Sequence, residues 1–397
     1  MPQNIPSGSP LLPDFTNTQT AFAYKSNGEL FQSYWLFKLI NSPALVKIST
    51  TLAGAVLKWH LPLTPFIKYT IYRQFCSGET LQDSLPVINR LDKYGVKSLL
   101  DYGVEAKEDE PDFDRTIEQL LRSITFSKNL SAIPAISTKV TGFARFALLE
   151  KVSSGATLNP AEQAEWERVW ERLHKLCRIA QDARISIYFD AEESWIQPAI
   201  DELVNTMMQQ YNQQFPVAFT TLQMYRHDRL AFLQQLTQTA RQKNFTAAVK
   251  LVRGAYMEKE RTRAAQMGYP SPIQPDKAAS DRDFNLALQF CIENINQVAV
   301  CNASHNEQSA TLLCKLMLQH GIPPTHPNVW FAQLYGMGDH LSFNLAKQGY
   351  NTAKYLPYGP VREVIPYLIR RSEENTSVSG QMSRELALLL QEKKRRK

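Results

Sequence analysis

From Ser98 onward, short runs rich in apolar and β-branched residues alternate with longer segments whose apolar positions recur at helical spacing. The runs are Ser98 to Val104, Ala135 to Gly142, Ile185 to Glu192, Val217 to Tyr225, Ala247 to Tyr256, Gln297 to His305, Val329 to Met337 and Thr352 to Gly359. The clearest helical stretch runs from Asn159 to Gln181. Asn159 suits an N-cap, Pro160 suits the first helical position, and Trp166, Val169, Trp170, Leu173, Leu176, Cys177 and Ala180 share one face. A second helix begins at Asp281 and carries Phe284, Leu288, Cys291 and Ile295 on one stripe. A third ends at Gly321, where Pro323 and Pro324 block continuation. Eight alternating units fit an α/β architecture of the (β/α)8 TIM barrel kind better than an open doubly wound sheet. Neither G-x-G-x-x-G nor G-x-x-x-x-G-K-[ST] occurs, which argues against Rossmann or P-loop nucleotide binding.

Three regions are expected: an N-terminal extension and helical arm over 1–90, the barrel over 91–380, and a C-terminal helix (Ser383 to Glu392) with a basic tail over 381–397. The apolar stretch from Tyr34 to Tyr72 is interrupted by Lys38, Lys47, Lys58, His60 and Lys68, too often for the ~18 unbroken apolar residues of a membrane span. It reads as a helical arm packed on the barrel, or else as a lysine-rimmed amphipathic segment lying on a surface.

Charge and cysteine content narrow the picture. The net charge is +6, but the last five residues are all Lys or Arg, so the rest of the chain carries only +1. A near-neutral body gives no nucleic-acid signal. The tail reads as a solvated, frayed terminus, or as a contact for an acidic membrane or partner. Cys76, Cys177, Cys291, Cys301 and Cys314 contain no C-x-x-C pair and lie in apolar patterns, so free buried thiols in a reducing compartment are expected, without zinc or another metal. The Pro- and Ser-rich start, Met1 to Asp14, shows no secretory or organelle signal, so a cytoplasmic location is expected.

In such a barrel the C-terminal ends of the strands face the active site. The polar residues there are Asp101, Glu105, Lys139, Arg145, Asp190, Glu192, Glu193, Gln223, Tyr225, Lys250, Arg253, Tyr256, Ser304, His305, Asn306, Gln333, Tyr335, Lys354 and Tyr355. Cations at one mouth imply an anionic ligand: a phosphate-bearing cofactor, a substrate carboxylate, or both. Within Lys250 to Tyr256, the small residues Gly254 and Ala255 would let a backbone N–H approach a phosphate; a strand ending in a glycine bulge is the plainer alternative. Arg370 and Arg371 point about 100° apart on a helix and could grip a carboxylate, with Glu374 positioned to pair with Arg370; a solvated helix face would look the same. His305 could be a ligand, a base or a structural residue, and Asn306 is a plausible N-cap.

Taken in order, Asp190 to Glu193, Lys250 to Tyr256 with Met257 to Arg261, Ser304 to Asn306, Phe331 to Met337, and Tyr355 to Pro360 with Tyr367 to Asn375 resemble the proline dehydrogenase family, over about residues 70 to 380. The resemblance implies a distorted (β/α)8 barrel, non-covalent FAD and oxidation of L-proline to Δ1-pyrroline-5-carboxylate, with a quinone taking the electrons and peripheral membrane contact plausible. It places Lys250 beside the flavin, Arg253, Gly254 and Ala255 at the pyrophosphate, and Gln223 on the flavin ring. Ala191, Ser304, His305 and Gln333 fall at other FAD contacts. Arg370 and Arg371 match a carboxylate clamp, Lys139 and Asp190 line the pocket, and Tyr355 and Tyr367 wall the substrate ring. The Lys-then-Arg order at 250 and 253 is that of eukaryotic-type members, opposite to the bacterial bifunctional ones. Met257 stands where the bifunctional members often carry Trp, and the length points to a monofunctional chain.

Two other activities also fit parts of the pattern. A hydroxyproline dehydrogenase would need room for the 4-hydroxyl, and the bulk of Tyr355 argues against it. A Schiff-base aldolase could use Lys139, Lys250 or Lys354, but leaves the double arginine and Gly254 without a role. A catalytically dead scaffold would have no reason to keep every matched site position filled. Oligomeric state is not legible.

Overall fold

The computed structural model describes residues 12–40, 68–103, 108–365, 367–368 and 381–397. Eight parallel strands close in sequence order, β1 (Val96–Tyr102), β2 (Ala135–Thr138), β3 (Ser186–Phe189), β4 (Ala218–Gln223), β5 (Ala247–Val252), β6 (Val298–Ala303), β7 (Val329–Leu334) and β8 (Thr352–Tyr358). β8 returns to β1 along its whole length, from Val96 opposite Thr352 to Tyr102 opposite Tyr358. The expected barrel is present.

Several predicted runs overshoot their strands at the C-terminal end. The run to Tyr256 yields a strand ending at Val252, and the run to Gly142 yields β2 plus a short 3₁₀ turn, Val140–Gly142. The overshoot has a cause: residues past the strand tips leave the ladder to form the loops around the barrel mouth.

The helices obey their local signals. Asn159 caps Pro160–Ala183 in a reciprocal capping box with Glu162, and Asn306 caps Glu307–Gln319. The helix expected from Asp281 starts at Lys277, because the Asp276 side chain accepts from the Ala279 N–H. That cap lies outside the apolar stripe, so periodicity places the start a turn late. All five cysteines are free and buried.

A second apolar cluster lies outside the barrel. Phe22, Leu30 and Phe37 of the N-terminal arm meet Phe75, Val364, Leu368 and, from the C-terminal helix Gln381–Arg395, Leu388 and Leu389. Each such buried side chain contributes about 1.5–3 kcal/mol, so the arm is firmly docked where it is described, as in Asn27–Ile40. The remainder of the expected arm, 41–67, lies outside the described residues. The expected frayed tail requires correction. Arg395 and Arg396 bond to the fully buried Glu392, and the Arg396 guanidinium donates to the Phe22 and Lys25 carbonyls at 2.7 and 2.9 Å. These acceptors lie far away in sequence, where a charge run carries no sign of them. Among the described residues, no helix is long and apolar enough to cross a membrane.

Candidate active site

Asp190 sits one residue beyond β3, its backbone N–H bonded to the Thr138 carbonyl at 2.8 Å. Its carboxylate is the hub of the barrel mouth. The Lys250 ammonium, from β5, pairs with Oδ1; the Ser137 hydroxyl, from β2, donates to the same oxygen at 2.9 Å; and the Tyr355 hydroxyl, from β8, donates to Oδ2 at 3.0 Å. Three strands thereby fix one carboxylate. Lys250 also lies 5.4 Å from the Tyr355 ring centroid and 6.0 Å from that of Tyr188, close enough for cation–π attraction. Burial, then the charges of Asp101 and Asp190, hold the Tyr355 phenol well above its usual range, so it remains a neutral donor.

Asp101, Asp190, Lys250 and Tyr355 line a cavity of about 780 Å³, within the usual range for ligand sites. Lys139, Ala191, Gln223, Arg253, Gly254, Ala255, Ser304, His305, Gln333 and Tyr367 line it as well. Arg253 is held from three sides: by Asp281 at 2.6 Å, by Ser304 at 2.8 Å and by Ser309 at 3.1 Å, with its guanidinium 4.4 Å from the Phe284 ring centroid. Gln223 bridges two mouth loops, donating to the Glu192 carbonyl at 2.8 Å and accepting from the Ala255 N–H at 3.2 Å. Gln333 donates to the Ser304 carbonyl at 3.2 Å and accepts from the Ser342 hydroxyl at 2.7 Å. Glu192 is buried beneath this rim. Its carboxyl is pushed up to about 7 by burial, against the opposing pull of Lys139 and of hydrogen bonds from Thr141.

Gly254 adopts φ +136°, and a Cβ there would lie 2.2 Å from the Tyr225 ring. A glycine is therefore required by backbone conformation and by packing, whatever ligand approaches it.

Not every strand-tip residue reaches the cavity. Lys354 is fully buried on the other side of β8, paired with Asp339 at 2.9 Å, so it cannot serve as a Schiff-base lysine at the mouth. Successive strand residues face opposite ways, and Tyr355 takes the inward place. Tyr335 turns toward Arg90 and a second cavity of about 750 Å³ beside the N-terminal arm. Arg145 pairs with Glu165, and Glu193 with Lys259. Glu105, Arg370, Arg371 and Glu374 lie outside the described residues. Conversely, Lys277, Glu307, His340, Arg384 and Glu385 join the cavity wall. Nothing in local spacing points to Arg384 or Glu385, which arrive on the C-terminal helix.

Chemically, the mouth combines apolar and aromatic walls with a paired lysine and a tethered arginine. Such a lining suits a planar ligand carrying negative charge.

The family profile described as Proline dehydrogenase matches residues 84–384. The chain is 32% identical to Proline dehydrogenase 1, mitochondrial, of Dictyostelium discoideum, over 96% of this chain and 74% of that protein. It is 32% identical to the Hydroxyproline dehydrogenase of Xenopus laevis, over 94% and 88% of the two chains. It is also 35% identical to the Carbapenem antibiotics biosynthesis protein CarD of Pectobacterium carotovorum subsp. carotovorum, over 81% and 83%. Among solved structures, proline utilization A from Bdellovibrio bacteriovorus superposes with a TM-score of 0.71 at 20% identity, over 95% of this chain. This chain spans only 38% of that protein, and at such identity the likeness speaks to the fold alone. With the barrel and the profile match together, the chain belongs to the proline dehydrogenase family, flavin-dependent oxidoreductases that use FAD.

Proposed function

We propose that this protein oxidises L-proline to Δ1-pyrroline-5-carboxylate. The C–H bond of the ring carbon beside nitrogen breaks as hydride, the nitrogen loses its proton, and a C=N bond forms between them. FAD, held non-covalently, supplies the two-electron acceptor when bound. The observation that carries this reading is the Asp190 hub, which joins Lys250 and Tyr355 at the cavity.

The donor set fits the cofactor. Arg253, with the Gly254 and Ala255 backbone, would hold the pyrophosphate, while Gln223, Ser304, His305, Gln333 and Ala191 would line the remaining contacts. Lys250 would place its positive charge where negative charge arrives, and Asp190 keeps that ammonium from wandering. Lys139, Tyr355 and Tyr367 would enclose the substrate ring, and Arg370 with Arg371 would hold its carboxylate. No strong base is needed at the nitrogen, since an amine can pass its proton to solvent.

Hydroxyproline oxidation is the competing reading, favoured by the similarity to a hydroxyproline dehydrogenase. The anchored Tyr355 ring leaves a bulky wall and weighs against it. Purified protein should be yellow, release FAD on heating and turn over L-proline faster than trans-4-hydroxy-L-proline. Colourless protein would sink the reading, and the reverse preference would hand it to hydroxyproline.

A lipid-soluble quinone would take the electrons. Phe31, Trp35 and Leu39 recur on one helical face and are 50%, 43% and 50% exposed, with the Lys393 ammonium 5.1 Å from the Phe31 ring centroid. This basic, aromatic face suits the cytoplasmic surface of an anionic membrane. Weak, salt-sensitive sedimentation with anionic vesicles is the expected result, and no binding at low salt would remove the idea.

A further inference from the structure

The segment that follows β7, Gly336 to His340, turns at Gly338 into the helix Asp339–Lys347 and is gripped from both ends of the chain. From the N-terminal side, the Gln74 amide donates to the Gly336 carbonyl at 2.7 Å, and Asp339 receives the Tyr24 hydroxyl at 2.8 Å with Lys25 at 3.4 Å. From the C-terminal side, Lys354 of β8 bonds the Met337 carbonyl and pairs with Asp339 at 2.9 Å, while the direct grip of the C-terminal helix on the backbone is one carboxylate. Glu385, only 5% exposed, accepts the Gly338 N–H and lies 3.7 Å from His340 Nδ1. The other imidazole nitrogen lies 3.1 Å from Glu307, which Arg384 of the same C-terminal helix binds at 2.8 Å.

The turn in question touches the cavity. Gly338 has φ +62°, and a Cβ on it would fall 2.6 Å from His305 Nδ1 and 3.1 Å from Gln333 Cγ. The turn's backbone is therefore pressed against the back of two cavity side chains. His305 Nε2 in turn accepts the Leu334 N–H at 3.3 Å, so its ring is braced on both sides by the segment running from the end of β7 into the turn. In an interior packed this tightly, a shift of the turn cannot be absorbed without moving the His305 ring.

We propose that Glu385 is a positioning residue for the flavin site: by holding the Gly338 turn against His305, it makes the C-terminal helix a structural wall of the cofactor cavity. Glu385 borders the cavity at its edge, and its reach to the cofactor contacts runs through the turn. Glu385 holds backbone, the backbone holds His305, and His305 faces the cavity. This inference rests on the FAD reading above. It predicts that the helix governs cofactor retention through one hydrogen bond, and that merely docking the helix against the arm is not sufficient.

The test follows FAD release from the full-length protein by flavin fluorescence after dilution, with thermal unfolding recorded in parallel. Glu385→Ala should speed release about tenfold, the scale of one lost buried hydrogen bond to a charged group. Glu385→Gln keeps an oxygen able to accept the Gly338 N–H and should remain within about twofold of the unaltered protein. Arg395→Ala, which disturbs the same helix at Glu392 far from the turn, should leave release unchanged. If Glu385→Ala does not fold, Glu385→Asp, whose shorter side chain falls short of the turn, should show the same acceleration. Equal release from all variants would overturn the proposal, as would equal acceleration by Glu385→Ala and Arg395→Ala, or by Glu385→Ala and Glu385→Gln. Unaltered protein that yields no FAD on heating would instead overturn the cofactor reading itself.

Discussion

The Tyr355 hydroxyl donates to Asp190 Oδ2 at 3.0 Å, joining the last strand of the barrel to the loop after the third across the mouth. The same carboxylate holds Lys250, so one hydrogen bond sets the position of an aromatic wall and, indirectly, of the cation beside it.

Tyr355→Phe keeps the ring but removes that bond. The ring should then rotate more freely against the substrate, raising the KM for L-proline roughly fivefold, in line with about 1 kcal/mol for such a bond. FAD content should not change. Steady-state kinetics beside a flavin absorbance ratio would check this, and an unaltered KM would deny Tyr355 its role at the substrate.

Lys250→Met would leave the half-buried Asp190 at the mouth without its cation. Loss of preorganised positive charge typically costs about 10²–10³ in kcat, and a comparable fall is expected here. Lys250→Arg, which restores charge with a different shape, should recover part of it. Activity in Lys250→Met close to that of the unaltered protein would mean the lysine serves only to hold Asp190.

Gly254→Ala meets two obstacles at once: φ +136° and the Tyr225 ring 2.2 Å from the new methyl. Backbone strain alone costs on the order of 1–3 kcal/mol. The melting temperature should fall, and Tyr225→Ala in the same chain should recover only the steric part. Complete recovery would show that the backbone conformation there costs nothing.

Glu192 holds its proton up to about pH 7, whereas an unperturbed glutamate loses it near 4.5. Between those values the folded state binds the extra proton, so Glu192's contribution makes stability fall as pH rises. The slope is about 1.4 kcal/mol for each pH step of one across that window, and the loss is complete above about pH 7. Glu192→Gln can still engage Thr141 and carries no charge to bury. Its stability relative to the unaltered protein should therefore improve from about pH 5 to about pH 8. Urea midpoints at the two ends test this; a difference independent of pH would mean that Glu192 titrates normally.

Local features are legible in the chain alone. Strand and helix alternation, the Asn159 and Asn306 caps and the burial of the five cysteines depend on residues close in sequence, and they appear where the pattern places them. The ordered motifs likewise name residues that gather at one cavity, from Asp190 to Tyr367. The pattern is silent on parity and on distant partners. Lys354 and Tyr355 are neighbours of similar promise, yet the barrel register sets Lys354 opposite Ser98 and Tyr355 opposite Leu99, burying one against Asp339 and turning the other into the mouth.

Hydrophobic period and motif order are properties of the chain, and they suffice to specify an eight-unit barrel with charged and polar residues gathered at its strand tips. That Asp190 is the shared partner of Ser137, Lys250 and Tyr355, and that Glu385 reaches back to Gly338, is settled in three dimensions. Those contacts join residues far apart in the chain. What brings them together is closure of the barrel and docking of the terminal helix on the arm, where burying apolar surface outweighs the entropy of closing long loops.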